Sequence, residues 1–264
     1  MTWITGAPPG PVIGVSMDGT GYGPDQTVWG GEVLIADLTG YTRAAHLKTV
    51  AMPGSASAIR EPWRMAVSYL DDAFGDEFWN LDIPAIRAIE SEKVGIIREM
   101  ISKGVNSPPT SSLGRLFDGV AAICGIRKRV NFEGQAAMEL EMLARETSDS
   151  RYDYEWEVGD VLRIPTGPII RGVVRDIQKK VPVPEIGTKF HRTLICLFAD
   201  LCKVLRKDSG LNRVVLSGGC FQNAILLSGL ILALSEEKFE VFAHEQVPTN
   251  DGGIALGQAV AAAA

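Results

Sequence analysis

Histidine is scarce in this chain. There are three in 264 residues, His46, His191 and His244, and their spacing does not match a metal-binding motif. Each is expected to be a structural or surface group. Cysteine is almost as sparse, with Cys124, Cys196, Cys202 and Cys220 and no CxxC pair. That excludes a zinc knuckle and a thioredoxin-type redox motif. Cys196 and Cys202 fall on different sides of a helix, so packed thiols are expected. No GxxxxGK[ST] sequence occurs, which argues against a P-loop mechanism, and no Ser/His/Asp order stands out. Basic runs are short: Arg127–Arg129 and Arg206–Lys207 read as solvated helix ends. With a net charge of −6 and a pI near 5.2, no nucleic-acid partner is expected. The longest apolar stretch, Ala224–Leu234, contains Ser228 and is too short to span a bilayer, so no membrane partner is expected. No charged-then-apolar leader opens the chain, and the expected location is the cytoplasm.

What is present is an ordinary globular balance, 46% hydrophobic and 22% charged, in a chain long enough for a buried core. A loose Gly/Pro lead-in covers residues 1–11. Strands are predicted over Val12–Met17, Val28–Ala36 and Tyr41–Ala51, a meander within residues 12–57. From Ala58 the period becomes helical, and a mostly helical insertion is predicted over residues 58–210. Its helices are expected at Ala58–Phe74 with Pro62 in the first turn, Pro84–Lys103, Gly114–Cys124, Gly134–Glu146, Pro168–Lys179 and Ile186–Leu205. An acidic and aromatic break at residues 147–162 suits a small hairpin. Residues 211–264 read βαβα: strand Val214–Ser217, helix Asn223–Glu237, strand Phe239–His244, helix Ile254–Ala264. That run implies parallel strands. The whole is an α/β chain in a single unit. Its order, a three-stranded meander, a helical insertion and then βαβα, is that of one lobe of the actin-like ATPase fold.

Three strand-to-glycine corners suggest a nucleotide cleft. Asp18 precedes Gly19, Thr20 and Gly21 after an apolar run. Its carboxylate offers a hard oxygen to a cation, and Thr20 a hydrogen bond, while the alternative is a plain hairpin turn. Asp251 in NDGG carries the same pair of readings, with a helix cap as the alternative. Two carboxylates on separate strand ends can converge on one cation. Ser217, Gly218 and Gly219 end a strand before a helix, where backbone amides favour an anion; a tight βα connection needs the same glycines. Gln222 and Asn223 then reach a nucleotide or cap the helix. On the next helix Gly114 and Asp118 lie one turn apart, which suits a ribose hydroxyl or an exposed helix surface. Gly134 and Gln135 enter a helix where a base can approach closely or a cap form. Cys220, beside the glycine corner, reads as an apolar filler.

Six stretches carry a resemblance. They are DGTGYGPDQTVWGGE (18–32), AIREPWRMA (58–66), PPTSSLGRLFDGVAA (108–122), NFEGQAAMELE (131–141), LSGGCFQNAILL (216–227) and VPTNDGGIALGQAVAA (247–262). In this order the chain resembles the carboxy-terminal part of the HypF hydrogenase maturation carbamoyltransferases. More distantly it is similar to the universal tRNA threonylcarbamoyl-transfer proteins and to antibiotic O-carbamoyltransferases. The resemblance implies a transferase domain of actin-like fold that uses ATP, carbamoyl-adenylate and a divalent metal (iron, zinc or magnesium). It implies carbamoyl transfer to the carboxy-terminal cysteine of the partner HypE. Asp18 and Asp251 would be the metal ligands. Gly114, Asp118, Gly134, Ser217–Gly219 and Asn223 would line the adenylate. Relatives also carry an HxxxH metal motif, an acylphosphatase domain, CxxC zinc fingers and an adenylate-forming domain. None is in this sequence, so the chain alone is expected to be inactive: it reads as a fragment or a split gene product with an upstream chain supplying the missing parts, or as a relative that has lost transfer activity. The other readings are a non-catalytic nucleotide-binding scaffold and an O-carbamoyltransferase of a small molecule.

Overall fold

The computed structural model describes residues 10–144 and 149–263. Its centre is strand β1 (Val12–Tyr22). Ile13, Val15 and Met17 point into the main core, and Val12 packs with Val215 on the other face. Apolar residues on both faces make this a buried central strand. β1 pairs antiparallel with β2 (Val28–Ala36), and β2 pairs antiparallel with β3 (Tyr41–Leu47). The predicted meander is therefore present, with two corrections to its limits. The third strand stops at Leu47, and β4 (Val50–Ala51) pairs elsewhere, with β5 (Pro109–Thr110). The first strand does not end at Met17. It continues to Tyr22 through a register shift between Met17 and Gly21. Asp18 thus sits in a bulge within the strand rather than at its end. Gly30, at φ 149°, makes the bulge possible, because a side chain there would strike the Asp18 carbonyl.

The helical segment follows in α1 (Ala56–Arg60), α2 (Trp63–Phe74), a 3-10 turn (Gly75–Asn80), α3 (Pro84–Arg87) and α4 (Ser91–Lys103). Then come α5 (Leu113–Ile123), α6 (Gln135–Leu143), α7 (Gly167–Gln178) and α8 (Val183–Ser209). Pro62 stands before α2 as its cap rather than inside a longer helix, since the residue before proline is pushed out of the helical region. The predicted helix over Pro84–Lys103 is likewise two, and the end of the one predicted to Glu146 lies outside the described residues. The segment is not wholly helical: β5 and β6 (Leu162–Ile164) extend the sheet. β6 runs parallel to β3, and a bridge from Glu157 to Arg163 closes part of the predicted hairpin; residues 147 and 148 lie outside the description.

The last quarter matches its βαβα reading. β7 (Arg213–Ser217) is parallel to β1, and β8 (Glu240–Phe242) is parallel to β7. Between them runs α9 (Ala224–Glu236), and α10 (Ile254–Ala262) follows β8. The sheet order is β4-β5-β2-β1-β7-β8, with β3 beside β2 and β6 beside β3. One correction bears on the site: a 3-10 turn, Gly219–Gln222, separates β7 from α9, so the glycine corner does not itself open the helix.

The core lies where α2, α5 and α8 cover the sheet. All eleven residues of α5 are buried. Gly119 admits the ring of Tyr69 from α2, and Phe117 meets Phe190 of α8 edge-on at 5.0 Å. Among the described residues no helix is long and apolar enough to cross a membrane.

Candidate nucleotide and metal site

The bulge of β1 is held from three sides. Ser112 caps α5 by accepting from the Arg115 amide at 3.2 Å. Its hydroxyl also lies 2.8 and 2.7 Å from the carbonyl oxygens of Asp18 and Gly19. Gly114 follows in the first turn of α5, where a Cβ would stand 2.8 Å from Gly19 Cα. Gly218, at φ 108°, lies so close to the Met17 backbone that no side chain fits. The third corner is tied in by two bonds: Gly218 N donates to the Thr249 carbonyl at 3.1 Å, and Thr249 Oγ1 to the Gly218 carbonyl at 3.0 Å. Asn250 then shapes the turn that carries Asp251 by accepting from Gly252 N at 3.1 Å.

The three corners therefore share one cavity of about 290 Å³. Asp18, Ser217, Gly218, His244, Asn250 and Asp251 are on its wall. Asp18 Oδ1 accepts from Gly19 N at 2.7 Å, and the Gly219 amide also faces that carboxylate. Burial holds the Asp18 carboxyl above the usual carboxylate range, and the charges of Asp251 and Glu133 push the same way. Negative charge is thus gathered where, among the described residues, no salt bridge joins a side-chain cation to Asp18. Two carboxylates are hard oxygen donors, the set that suits a hydrated Mg²⁺ shared with phosphate oxygens. They suit a transition metal poorly. Among the described residues no group of three His, Cys, Asp or Glu side chains is placed to hold a metal ion.

The other expected site residues divide into those under the pocket and those turned away. Gly19, Gly114 and Gly219 pack beneath it. The Gly218 and Gly219 amides, expected to face an anion, are engaged by Thr249 and Asp18. Asp118 is buried and pairs with Arg115 at 3.1 Å; burial pushes its carboxyl up to about 6 against the pull of that guanidinium. The alternative reading of Asp118 as an exposed helix residue does not hold, because the helix is covered all round. Asn223 is a cap: its Oδ1 accepts from Leu226 N at 2.8 Å and its Nδ2 lies 2.9 Å from His191 Nε2. Gln135 closes its own loop, accepting from Asn131 N and donating to Glu139. Gly134, at φ 78°, is a turn glycine before α6. Thr20 is exposed, and Gly21 faces Trp29 in the strand ladder. Cys220 is held far above its ordinary thiol range by burial and then by Asp18, which keeps it protonated.

Sequence reasoning passed over Arg115 and His244. Arg115 was legible as a charge one turn before Asp118 on an otherwise apolar helix. His244 gave no signal, because only folding brings it beside Ser217.

Residues 14–258 match the family model described as carbamoyltransferase, Kae1-like domain, second subdomain, of HypF. The chain belongs to the HypF carbamoyltransferase family. It is 38% identical over 249 residues to carbamoyltransferase HypF of Rhizobium leguminosarum bv. viciae, covering 94% of this chain and 32% of that protein. HypF of Synechocystis is 35% identical, covering 95% and 34%. A solved full-length HypF in the phosphate- and nucleotide-bound form superposes with a TM-score of 0.92 at 44% identity, covering 97% of this chain and 33% of that one. HypF of T. kodakarensis superposes at 0.83 with 28% identity, covering 95% and 33%. The chain thus spans about a third of the length of these HypF relatives.

Proposed function

We propose that this chain is the second part of a HypF transferase domain, one lobe of an actin-like fold. In this reading it transfers a carbamoyl group from carbamoyl-adenylate to the carboxy-terminal cysteine of a HypE-like acceptor, in hydrogenase maturation. The observation that carries the reading is the shared cavity of Asp18 and Asp251, which lie at opposite ends of the sequence. A family member with a solved nucleotide-bound form supports a nucleotide as the occupant.

The site residues then have distinct tasks. Asp18 and Asp251 hold the divalent cation; when bound, it supplies positive charge to phosphate and carbonyl oxygens. Ser112, Gly114 and Gly218 fix the bulge so that Asp18 keeps its position without reorganising. Ser217 and Asn250 offer polar contacts to the ligand from the wall. In this reading the attacking thiolate is the acceptor's, so no cysteine of this chain need act. The chain lacks HxxxH, and two carboxylates alone are a weak transition-metal site, so transfer requires the further HypF parts.

Calorimetry with a non-hydrolysable ATP analogue tests the pocket. The wild-type chain is expected to bind in the presence of Mg²⁺, and more weakly when Zn²⁺ or Fe²⁺ replaces it. Asp18→Asn and Asp251→Asn are expected to lose the metal-dependent part. Equal affinity with and without chelator would refute the ligand assignment. In a complete HypF system with its acceptor, Asp18→Ala or Asp251→Ala is expected to abolish transfer.

A further inference from the structure

His244 is a wall residue of the cavity that the proposed mechanism leaves unused. Its Nε2 lies 2.9 Å from Ser217 Oγ. Its other ring nitrogen, Nδ1, is buried without a hydrogen-bond partner among the described residues. That asymmetry selects a tautomer. A proton on Nδ1 would be a buried N–H with nothing to receive it, which is rare and costly. A proton on Nε2 has Ser217 Oγ as acceptor, and only a lone pair on Nδ1 goes unmet. Partial burial also lowers the pKa of the ring, which favours its neutral form.

The tautomer decides what the serine can do. A hydroxyl has one proton and two lone pairs. If Nε2 were the acceptor, Ser217 would give that proton to His244 and offer the cavity lone pairs only, which repel an anion. With Nε2–H as donor, the serine proton is released to the cavity. The neighbouring Gly218 and Gly219 amides are already engaged by Thr249 and Asp18, so this hydroxyl is a principal donor on that wall.

We propose that His244 is a positioning residue whose Nε2–H anchors Ser217 Oγ, so that the serine hydroxyl donates to a phosphate oxygen of the bound nucleotide. The proposal rests on the nucleotide reading of the pocket and adds a residue that sets its anion contact.

Two measurements test it. Nitrogen-15 NMR of the histidine-labelled chain reports the tautomer without any ligand. A protonated Nε2 and an unprotonated Nδ1 are expected; the reverse pattern overturns the proposal. Calorimetry with the non-hydrolysable ATP analogue and Mg²⁺ then reads the contact. A glutamine amide reaches the place of Nε2 and an asparagine amide that of Nδ1. His244→Leu, His244→Asn and Ser217→Ala are each expected to weaken binding about five- to ten-fold, the worth of one hydrogen bond. His244→Gln is expected to retain most of the affinity. In a Ser217→Ala background His244→Leu is expected to cost nothing more. Undiminished binding by His244→Leu, or a loss that simply adds to that of Ser217→Ala, sinks the inference alone. If the wild-type chain does not bind the analogue, the nucleotide reading fails and this proposal with it.

Discussion

Asp118 brings a negative charge into a helix with no exposed residue, and Arg115 makes it tolerable. The pair is poorly served: Arg115 Nε and Nη1 and Asp118 Oδ2 are all buried without hydrogen-bond partners among the described residues. Removing one member of a buried pair costs more than the pair contributes, because the other charge is stranded. Arg115→Met is therefore expected to lose about 3–5 kcal/mol at pH 8. The loss should shrink at pH 5, where Asp118, already raised to about 6, takes up a proton and becomes neutral. Urea melts at the two pH values check this, and an equal loss at both would contradict it. His191 gives the opposite sign. Its Nδ1–H donates to the Gly187 carbonyl at 2.7 Å, and Nε2 accepts from Asn223. Burial depresses its pKa to about 4, below the ordinary value of about 6.5. The unfolded chain thus binds its proton first. The contribution is full above pH 6.5 and drains as pH falls through 4, by up to about 3 kcal/mol. His191→Gln is expected to flatten the acid limb of a stability–pH curve relative to wild type. At this scale the two aspartates of the pocket were legible, because a carboxylate beside glycines can be read locally. The partners of Asn223 and Ser217 were not. His191 and His244 reach them only through the fold.

Helix α5 shows what periodicity misses. Leu116, Val120 and Ile123 mark an apolar face, and Gly114, Gly119, Ala121 and Ala122 look like a permissive one. In the fold the small residues are contact surfaces: Gly119 receives Tyr69, and Gly114 receives the Asp18–Gly19 backbone. A pattern of small residues does not announce burial, so Asp118 read as a ribose contact or an exposed helix residue, and not as half of a buried ion pair. The prediction for Gly114→Ala separates local preference from packing. Alanine should stabilise an exposed helix by up to about 1 kcal/mol. Here its Cβ would stand 2.8 Å from Gly19 Cα and push the bulge outward. The variant is expected to keep its helical circular dichroism and lose at least about ten-fold in affinity for the ATP analogue, as one to two lost contacts require. A more stable variant with full affinity would show that the contact does not shape the site. The strands were legible to a similar degree. β1, β2 and β7 have enough apolar length to be read. β5 and β6 have two and three residues, too few for alternation to appear, and the bulge depends on Gly30 of the neighbouring strand rather than on its own sequence.

Across the molecule, stability is unevenly distributed. The sheet centre, α2, α5 and α8 share one apolar core. Helix α10 stands apart: it is apolar yet has no buried residue, and Ile254 and Leu256 are 53% and 43% exposed. The βαβα reading of the last quarter placed this helix but could not tell that it would lie so lightly on its neighbours, since its composition is that of a core helix. Ile254 and Gly257 nevertheless line the cavity, next to Asp251 in the turn before them. Elements with few buried apolar contacts open with small free energies. Amides of α10 are therefore expected to exchange hydrogen fastest among the described helices of eight or more residues, and those of α5 slowest. If the pocket takes a nucleotide and Mg²⁺, Asp251 becomes a tether between the cation and α10, and Asp18 fixes the same cation to the sheet centre. Ligand should then slow exchange in α10 and in the β1 bulge together, at the same concentration, with little change in α4 on the periphery. Protection confined to one of the two segments would mean that Asp18 and Asp251 do not share a ligand, whatever their proximity in the free protein.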